Sequence, residues 1–291
     1  MLDANILESY RMAGSIAAKI RAEAEKIVKE GTPLIKICET LEKKIIKEKG
    51  KPAFPLNVSV NDVAAHYTSP PYDKSTVPPR ALVKVDIGVQ VNGFIADTAL
   101  TVSIGKESLE LVKASESALE NVLKTVKHGV KSSHIGEIVE KTIKEFGFKP
   151  ISNLTGHLLD KYTLHAGKSI PNVKTRVGFT LKEGEVYAIE PFATTGAGTV
   201  EDSKYSYIYR MPSQKTSTPF LSYIAHKFKT LPFTARWLVS KFPKAQELIK
   251  RFALTGTIQS YPVLMEREKG IVSQAEHTLI VKKNGCEVTS A

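Results

Sequence analysis

Apolar residues recur at helical spacing in two separate parts of the chain. In the first part they predict an amphipathic helix over 6–29, ended by Gly31, and a second helix that begins near Leu34 and stops at Gly50. In the second part they predict a helix over 111–126 and another over 133–146. Each pair of helices is followed by strand-like sequence that carries an acidic residue. The pattern indicates an α/β chain.

The two helix pairs also resemble each other residue by residue. The segment CETLEKKIIKEKGKP (38–52) matches GEIVEKTIKEFGFKP (136–150) at an offset of 98 positions, as from Glu39 to Glu137. Two helices rich in Lys and Glu can match by chance. The shared order of helix, Gly, helix, Gly and Lys-Pro nevertheless favours a duplicated α/β half.

The stretch VKVDIGVQVNGFIAD (83–97) alternates like a β-hairpin and turns at Asn92-Gly93, yet it contains Asp86 and Asp97. A two-residue loop places Asp86 opposite Ala99 and diagonal to Asp97, so both acids lie on one face.

Apolar neighbours such as Val85 and Ile95 indicate that this hairpin is buried. Two buried carboxylates about 5 to 8 Å apart repel each other and resist desolvation unless protons or a cation neutralise them. A solvated face would need no cation, so the two aspartates alone leave both interpretations open.

Further candidate ligands lie in apolar contexts later in the chain: His157 and His165 in NLTGHLLDKYTLHAG, Glu190 in YAIEPFA and Glu276 in SQAEHTLIV. A lone buried His is more often a hydrogen-bonded core residue, and a lone strand Glu is more often at an edge. Four carboxylates and one imidazole together suit divalent first-row metals. Two ions bridged by shared carboxylates would balance four acids, and cobalt, manganese, iron and zinc all suit such ligands.

The sequence changes character beyond Thr194, where a small, polar stretch precedes a basic, mostly helical one. We interpret residues 200–262 as a helical insert in the second half. A separate winged-helix-like module that binds nucleic acid is the alternative.

Composition narrows the class of protein. A chain of 291 residues with 42% hydrophobic residues is typical of a globular protein. Its two cysteines, Cys38 and Cys286, form no Cys-x-x-Cys pair, which indicates neither a disulfide framework nor a thiolate zinc site. The N-terminal residues lack the pattern of a secretory signal, and no apolar run reaches membrane-spanning length. We therefore expect a cytoplasmic protein with no membrane association.

The net charge of +11, from 41 basic and 30 acidic residues, favours an anionic partner. Lysines are scattered among glutamates, so nucleic acid is the less favoured substrate. Weak contact with an RNA-rich particle, the ribosome, stays open.

The motifs ALVKVDIGVQVNGFIAD, TGH, LHAG, AIEPFATTGAG and QAEHTLIV, in this order, resemble those of type II, archaeal-like methionine aminopeptidases, and GKPAFPLNVSVNDVAAHY adds to the likeness. The resemblance spans nearly the whole chain. It implies a pita-bread fold over residues 1–291, in which two halves surround a curved antiparallel sheet. Type II members also carry a helical insert before the last ligand.

The resemblance further implies a role for each candidate residue. The ligands of two divalent ions would be Asp86, Asp97, His157, Glu190 and Glu276. Asp97 and Glu276 would bridge the ions, and Glu190 would relay protons to the leaving amine. His66 and His165 would flank the scissile amide as hydrogen-bond donors. The pocket for the methionine side chain would be lined by Phe54, Leu164, Phe192 and Tyr261.

The implied activity is removal of the initiator methionine from nascent polypeptides whose second residue is small, by a chain that we take to act as a monomer. A proline-specific peptidase of the same fold is one alternative. A non-catalytic pita-bread protein that binds peptides or RNA is another, although such a protein would be expected to lack ligands that are intact here.

Overall fold

Six α-helices and fifteen β-strands occur in residues 2–106, 108–213 and 216–291, which are the residues that the computed structural model describes. The helices are α1 (Ala4–Ile27), α2 (Leu34–Lys47), α3 (Leu109–Thr125), α4 (Ser132–Glu145), α5 (Pro219–Phe228) and α6 (Ala245–Leu254). The strands are β1 (Lys51–Pro52), β2 (Asn57–Val60), β3 (Val63–Ala65), β4 (Leu82–Val91), β5 (Phe94–Ser103), β6 (Lys149–Pro150), β7 (Thr155–Leu159), β8 (Ser169–Pro171), β9 (Val186–Ile189), β10 (Phe192–Thr194), β11 (Val200–Arg210), β12 (Gln259–Glu266), β13 (Val272–Gln274), β14 (His277–Lys282) and β15 (Gly285–Val288).

The strands form four antiparallel sheets. In the first, β4 pairs with β1, β2 and β5, and in the largest the order is β15-β14-β9-β7-β8. Smaller sheets have the orders β13-β10-β6 and β11-β12-β3. Helices α1 and α2 pack on β4 to form one buried apolar core, and α3 and α4 pack against the second half to form another. Strands β4 and β5 are buried along most of their length, so the polar positions that alternate with apolar ones in β4 lie inside the protein.

The duplication predicted from the sequence is confirmed by the secondary structure. Helices α2 and α4 begin and end 98 positions apart, from 34 to 132 and from 47 to 145. Strands β1 and β6 keep the same offset, from 51 to 149. Each of these two-residue strands pairs with a strand near the candidate site, β1 with β4 and β6 with β10.

The hairpin register predicted for β4 and β5 is also confirmed. Asp86 lies directly opposite Ala99, and Asp97 is two positions away on the same face. The turn residues Asn92 and Gly93 have φ angles of 54° and 90°, the left-handed conformation that a two-residue type I′ turn requires. This turn fixes the register, and the register fixes which face carries the acids.

The helical structure predicted over 200–262 is wrong at both ends. Its first part forms β11 and its last part forms β12, which pair with each other, and β12 also pairs with β3. Only the segment between them is helical, with α5, a 3-10 helix at Ala235–Trp237 and α6 around their own apolar cluster. Residues 214 and 215 lie outside the described residues. The alternation in VEDSKYSYIYR was a strand signal, and the shared sheet does not fit a separate winged-helix module.

No helix in the described part of the chain combines the length and the apolar character needed to cross a membrane.

Replacing Gly14 by Ala is expected to destabilise the fold, although Ala is the better helix former by about 1 kcal/mol. A Cβ atom at this position in α1 would lie 2.1 Å from the backbone oxygen of Thr289, so the helix and the C-terminal segment would have to move apart. Overpacking of this kind costs about 1 to 3 kcal/mol. Urea denaturation measures the change. The neighbouring exposed substitution Ser15→Ala is the control, and equal stability of the two variants would contradict the expectation.

Candidate metal centre

The five predicted ligands come to one place from four parts of the fold: the β4–β5 hairpin, β7, the end of β9 and the segment between β13 and β14. Asp86 and Asp97 come from the β4–β5 hairpin, and His157 lies within β7. Glu190 directly follows β9, in which Ala188 is the pairing partner of His157. These positions bring two ligands from the first half and two from the second into the same cleft.

The fifth ligand, Glu276, joins the halves through its backbone. Its N–H donates to the carbonyl of Ala99 at 3.1 Å, and the Ala99 N–H donates back at 3.3 Å. Thr278, two residues on, accepts a hydrogen bond from the Asp97 N–H at 2.7 Å and donates to the Asp97 carbonyl at 2.8 Å. Because Ala99 is also the cross-strand partner of Asp86, one short stretch of β5 sets the spacing of three acids.

The ligand atoms are close enough to share cations. Nε2 of His157 lies 3.7 Å from Oδ2 of Asp97 and 3.4 Å from Oε1 of Glu190. Asp97, His157 and Glu276 each offer a ligand atom within 4.8 Å of the others, and all three residues are buried. Such a set of oxygen donors with one nitrogen suits a divalent first-row metal.

Burial determines the charge state of these groups. Burial raises the pKa of Asp86 to about 7. Burial, with repulsion from Asp86, raises the pKa of Asp97 and of Glu190 well above the usual values, and burial together with the charge of Asp97 does the same for Glu276. Burial also lowers the pKa of His157, which keeps its imidazole neutral and able to bind a cation.

Two buried carboxylate oxygens without hydrogen-bond partners support cation binding, and this observation does not depend on the pKa values. Oδ1 of Asp86 and Oδ1 of Asp97 are buried, and neither has a hydrogen-bond partner among the described residues. Leaving a buried polar atom unpaired costs about 1 to 3 kcal/mol, and more for a charged group. Two such atoms on the facing strands of one hairpin fit a bound cation, which would satisfy both.

Two further imidazoles lie on another side of the cleft. The ring of His165 packs against His157 at a centroid distance of 4.3 Å, and both His66 and His165 contact the ring of Tyr261. Burial lowers the pKa of His66, and it lowers the pKa of His165 to about 4, so both are neutral at pH 7.

The tautomer of His66 follows from its backbone contact. Nδ1 lies 3.3 Å from the carbonyl oxygen of Pro262, which can only accept a hydrogen bond. The ring proton is therefore on Nδ1, and Nε2 of the neutral ring is an acceptor. The donor role expected for His66 from the sequence stays a prediction, and this tautomer would instead offer the substrate an acceptor at Nε2.

One cavity of about 290 Å³ lies between these groups. All eleven residues predicted for the site line it: Phe54, His66, Asp86, Asp97, His157, Leu164, His165, Glu190, Phe192, Tyr261 and Glu276. Phe54 and Phe192 are buried, and a Cβ atom at Gly88 would lie 2.3 Å from the Phe54 ring. Glycine at position 88 thus allows this ring to pack flat on β4.

Several residues near the site were not singled out from the sequence. Asn57 and Thr155 line the cavity, and Gln274 donates to Glu276 at 3.4 Å. Asn57 could have been found from pairing, because it lies opposite Asp86 between β2 and β4. The other two carry no pattern that separates them from ordinary polar strand residues.

A buried ion pair between Arg236 and Glu42 was also missed. Arg236 donates to both carboxylate oxygens of Glu42, at 2.6 and 2.9 Å, and to the carbonyl of Ser69 at 3.0 Å. The same carboxylate accepts a hydrogen bond from the Leu56 N–H at 3.2 Å. The pair ties the helical segment to the stretches that carry Phe54 and His66. Its partners are 194 positions apart, so no local sequence signal exists.

Four acids, two buried and two partly buried, and an imidazole at the junction of two halves are the kind of site that metallohydrolases use. The chain belongs to metallopeptidase family M24, whose model matches residues 8–282. The methionine aminopeptidase of Methanothermobacter thermautotrophicus is 43% identical over 293 residues, which cover 97% of this chain and 98% of that protein.

Solved structures show the fold. A thermophilic Arx1 matches with a TM-score of 0.85 at 21% identity, over 99% of this chain and 91% of that one. The methionine aminopeptidase of Thermotoga maritima matches with a TM-score of 0.74 at 20% identity, over 99% and 98% of the two chains. The pita-bread fold expected from the resemblance is confirmed.

Metal binding is expected to release protons at pH 7. Because burial raises the pKa of Asp86 to about 7 and the pKa of the other three acids further, the metal-free protein retains protons that a cation must displace. Affinity for Mn²⁺ should therefore fall as the pH is lowered. Titration calorimetry with MnCl₂, in buffers of different ionisation enthalpy, measures the number released, which we expect to be about one or more.

Asp86→Asn should bind Mn²⁺ more weakly and release fewer protons, whereas the exposed substitution Asp160→Asn should match the wild-type protein. Binding heats that do not depend on the buffer would contradict this assignment of protons.

Proposed function

We propose that this chain is a methionyl aminopeptidase that removes the N-terminal methionine from polypeptides whose second residue is small. The observation that carries the proposal is the convergence of five candidate ligands from both halves, three buried and two partly buried, on one cavity with apolar walls. Identity above 40% to a methionine aminopeptidase over nearly the full chain supports the same conclusion. Peptide N-termini are thus the substrates.

The five ligands suit two divalent ions, cobalt, manganese, iron or zinc, with Asp97 and Glu276 shared between them. His157 lies near both Asp97 and Glu190, and repulsion from Glu190 helps to raise the pKa of Asp97. Asp97 and Glu276 belong to one group of ligand atoms, which supports a bridging role for these two carboxylates. When bound, the ions would activate water and polarise the carbonyl of the first residue. One ion would leave four carboxylates incompletely neutralised in a buried site.

The protein's own groups would orient the peptide and move its protons. Glu190, beside the ligand cluster, takes the proton of the attacking water and delivers it to the leaving amine, a role that its raised pKa favours. His66 accepts a hydrogen bond from the substrate amide through Nε2. His165 donates to the oxygen on which negative charge develops.

The apolar wall would select methionine. Phe54, Leu164 and Phe192 bound a space of a size that holds one residue, and Tyr261 lies beside the two imidazoles. Fit to an unbranched apolar side chain discriminates modestly, since one methylene group is worth about 1 to 3 kcal/mol.

A methionine aminopeptidase and the alternative, a proline-specific peptidase, would use the same metal ligands. The peptide that the protein hydrolyses therefore distinguishes between them. Hydrolysis of Met-Ala-Ser but not of an Ala-Pro peptide supports the proposal, and the reverse result rejects it.

The domain and partner assignments complete the proposal. Residues 1–291 would form one catalytic domain, acting as a cytoplasmic monomer, and the ribosome stays a candidate for weak contact. The strands shared between 200–266 and β3 support a single domain, because they build one sheet from both parts of the chain.

Glu190→Gln is expected to reduce hydrolysis of Met-Ala-Ser to below about a tenth of the wild-type rate, because a carboxamide cannot relay a proton. The fold should be retained, as judged by circular dichroism, and metal content should be measured because Glu190 is also a proposed ligand. Glu183→Gln, on the exposed turn before β9, is the control. Activity above a tenth of wild type would remove Glu190 from this role.

His66→Ala is expected to lower kcat about tenfold or more through loss of a hydrogen bond to the substrate, while the bound metal stays in place. Steady-state kinetics and metal analysis of the same preparation test this. His134→Ala, on the exposed face of α4, should change neither quantity. Loss of metal from the His66 variant would show that this imidazole acts on the metal site instead.

A further inference from the structure

Asn57 is a buried polar residue of the cavity to which the proposed reaction assigns no role. It is the first residue of β2, its side chain is 3% exposed, and it lines the cavity. In the antiparallel pair of β2 and β4 it lies directly opposite Asp86, so the two side chains are neighbours on one face.

The orientation of its amide is fixed by the backbone. Nδ2 donates to the carbonyl oxygen of Pro55 at 2.9 Å, and the flipped amide would place two oxygen atoms against each other. Oδ1 is therefore turned away from this contact. It is buried and has no hydrogen-bond partner among the described residues.

A second asparagine of the cavity shows what a structural amide looks like in this fold. Nδ2 of Asn153 donates to the carbonyl of Val200 at 2.8 Å, and Oδ1 of Asn153 accepts from the Val200 N–H at 2.9 Å. Both ends of that amide are used to join two segments of backbone. Asn57 uses only its donor, so its acceptor is free for a ligand in the cavity.

A ligand in the cavity can supply the missing donor, and buried amide oxygens are almost always hydrogen-bonded. A methionine residue has no donor in its thioether side chain, so only its α-amino group and the N–H of the scissile amide remain. The three imidazoles are in contact with one another or with Tyr261, whereas Asn57 adjoins the carboxylate cluster through Asp86. Of the two groups, the amino group is the one that carboxylates attract.

We propose that Oδ1 of Asn57 accepts a hydrogen bond from the α-amino group of the substrate's first residue. The inference rests on the proposed function and adds a residue that recognises the free N-terminus. A peptide bound with an internal residue in the cavity would place no free amino group beside Asn57. Asn57 thus helps to restrict hydrolysis to the first residue, together with the acids beside it.

The test compares two ligands that differ only in the amino group. L-methionine and 4-(methylthio)butanoic acid, which lacks that group, are titrated calorimetrically into the manganese-loaded protein and into Asn57→Ala and Asn57→Leu. We expect both substitutions to reduce the preference for L-methionine about tenfold, mainly by weakening its own binding. Two variants are used because Ala leaves space and Leu retains the approximate volume of the side chain.

Asn153→Ala is the matched control. It removes an amide of the same cavity that is exposed and hydrogen-bonded at both ends to Val200, so it should lower the melting temperature without changing the ratio of the two affinities. The inference is overturned if both Asn57→Ala and Asn57→Leu, folded and loaded with metal, keep the wild-type ratio of affinities for L-methionine and 4-(methylthio)butanoic acid. If the wild-type protein cleaves Met-Ala-Ser in that case, only the role of Asn57 fails. If the wild-type protein cleaves no such peptide, the proposed function fails.

Discussion

The structure depends on the confinement of four carboxylates in one buried cleft. Burial opposes their ionisation, and their mutual repulsion adds to that cost, so the metal-free site is stabilised by protons on groups whose pKa is raised. Covalent neighbours do not force this arrangement, because the acids come from positions up to 190 residues apart, between 86 and 276. Backbone pairing holds the acids together, through the β4–β5 hairpin and the reciprocal hydrogen bonds between Ala99 and Glu276.

The duplicated halves contribute unequally to the site. The first half provides two acids on a rigid hairpin, and the second provides the imidazole and two acids on strands that end at the cleft. The segment from β11 to β12 adds Tyr261 and the carbonyl of Pro262, which fixes the tautomer of His66. The buried pair of Arg236 and Glu42 ties this segment to the first half. Such a pair is weak evidence for added stability, whereas removal of one partner would leave a buried charge unpaired.

Fold similarity alone does not establish the chemistry. The Arx1 structure matches this chain more closely in overall shape than the Thermotoga enzyme does. Function follows from the side chains that a fold presents, and here the unpaired oxygens of Asp86 and Asp97 and the neutral imidazole of His157 fit a cation site. The apolar wall and the acceptor of Asn57 add the features that a methionine with a free amino group would need.

The sequence determined the elements whose signals are local. Helical periodicity located α1 to α4 within a few residues, Asn92-Gly93 fixed the hairpin register, and the 98-residue offset revealed the duplication. The eleven candidate residues were named from motif and context, and all of them line one cavity. Only the tertiary structure decided the pairing of β12 with β3, the contact of His66 with the carbonyl of Pro262 and the unpaired oxygen of Asn57. These features depend on which backbone atoms meet across nearly 200 positions of sequence, as for His66 and Pro262, and no local pattern of residues encodes such contacts.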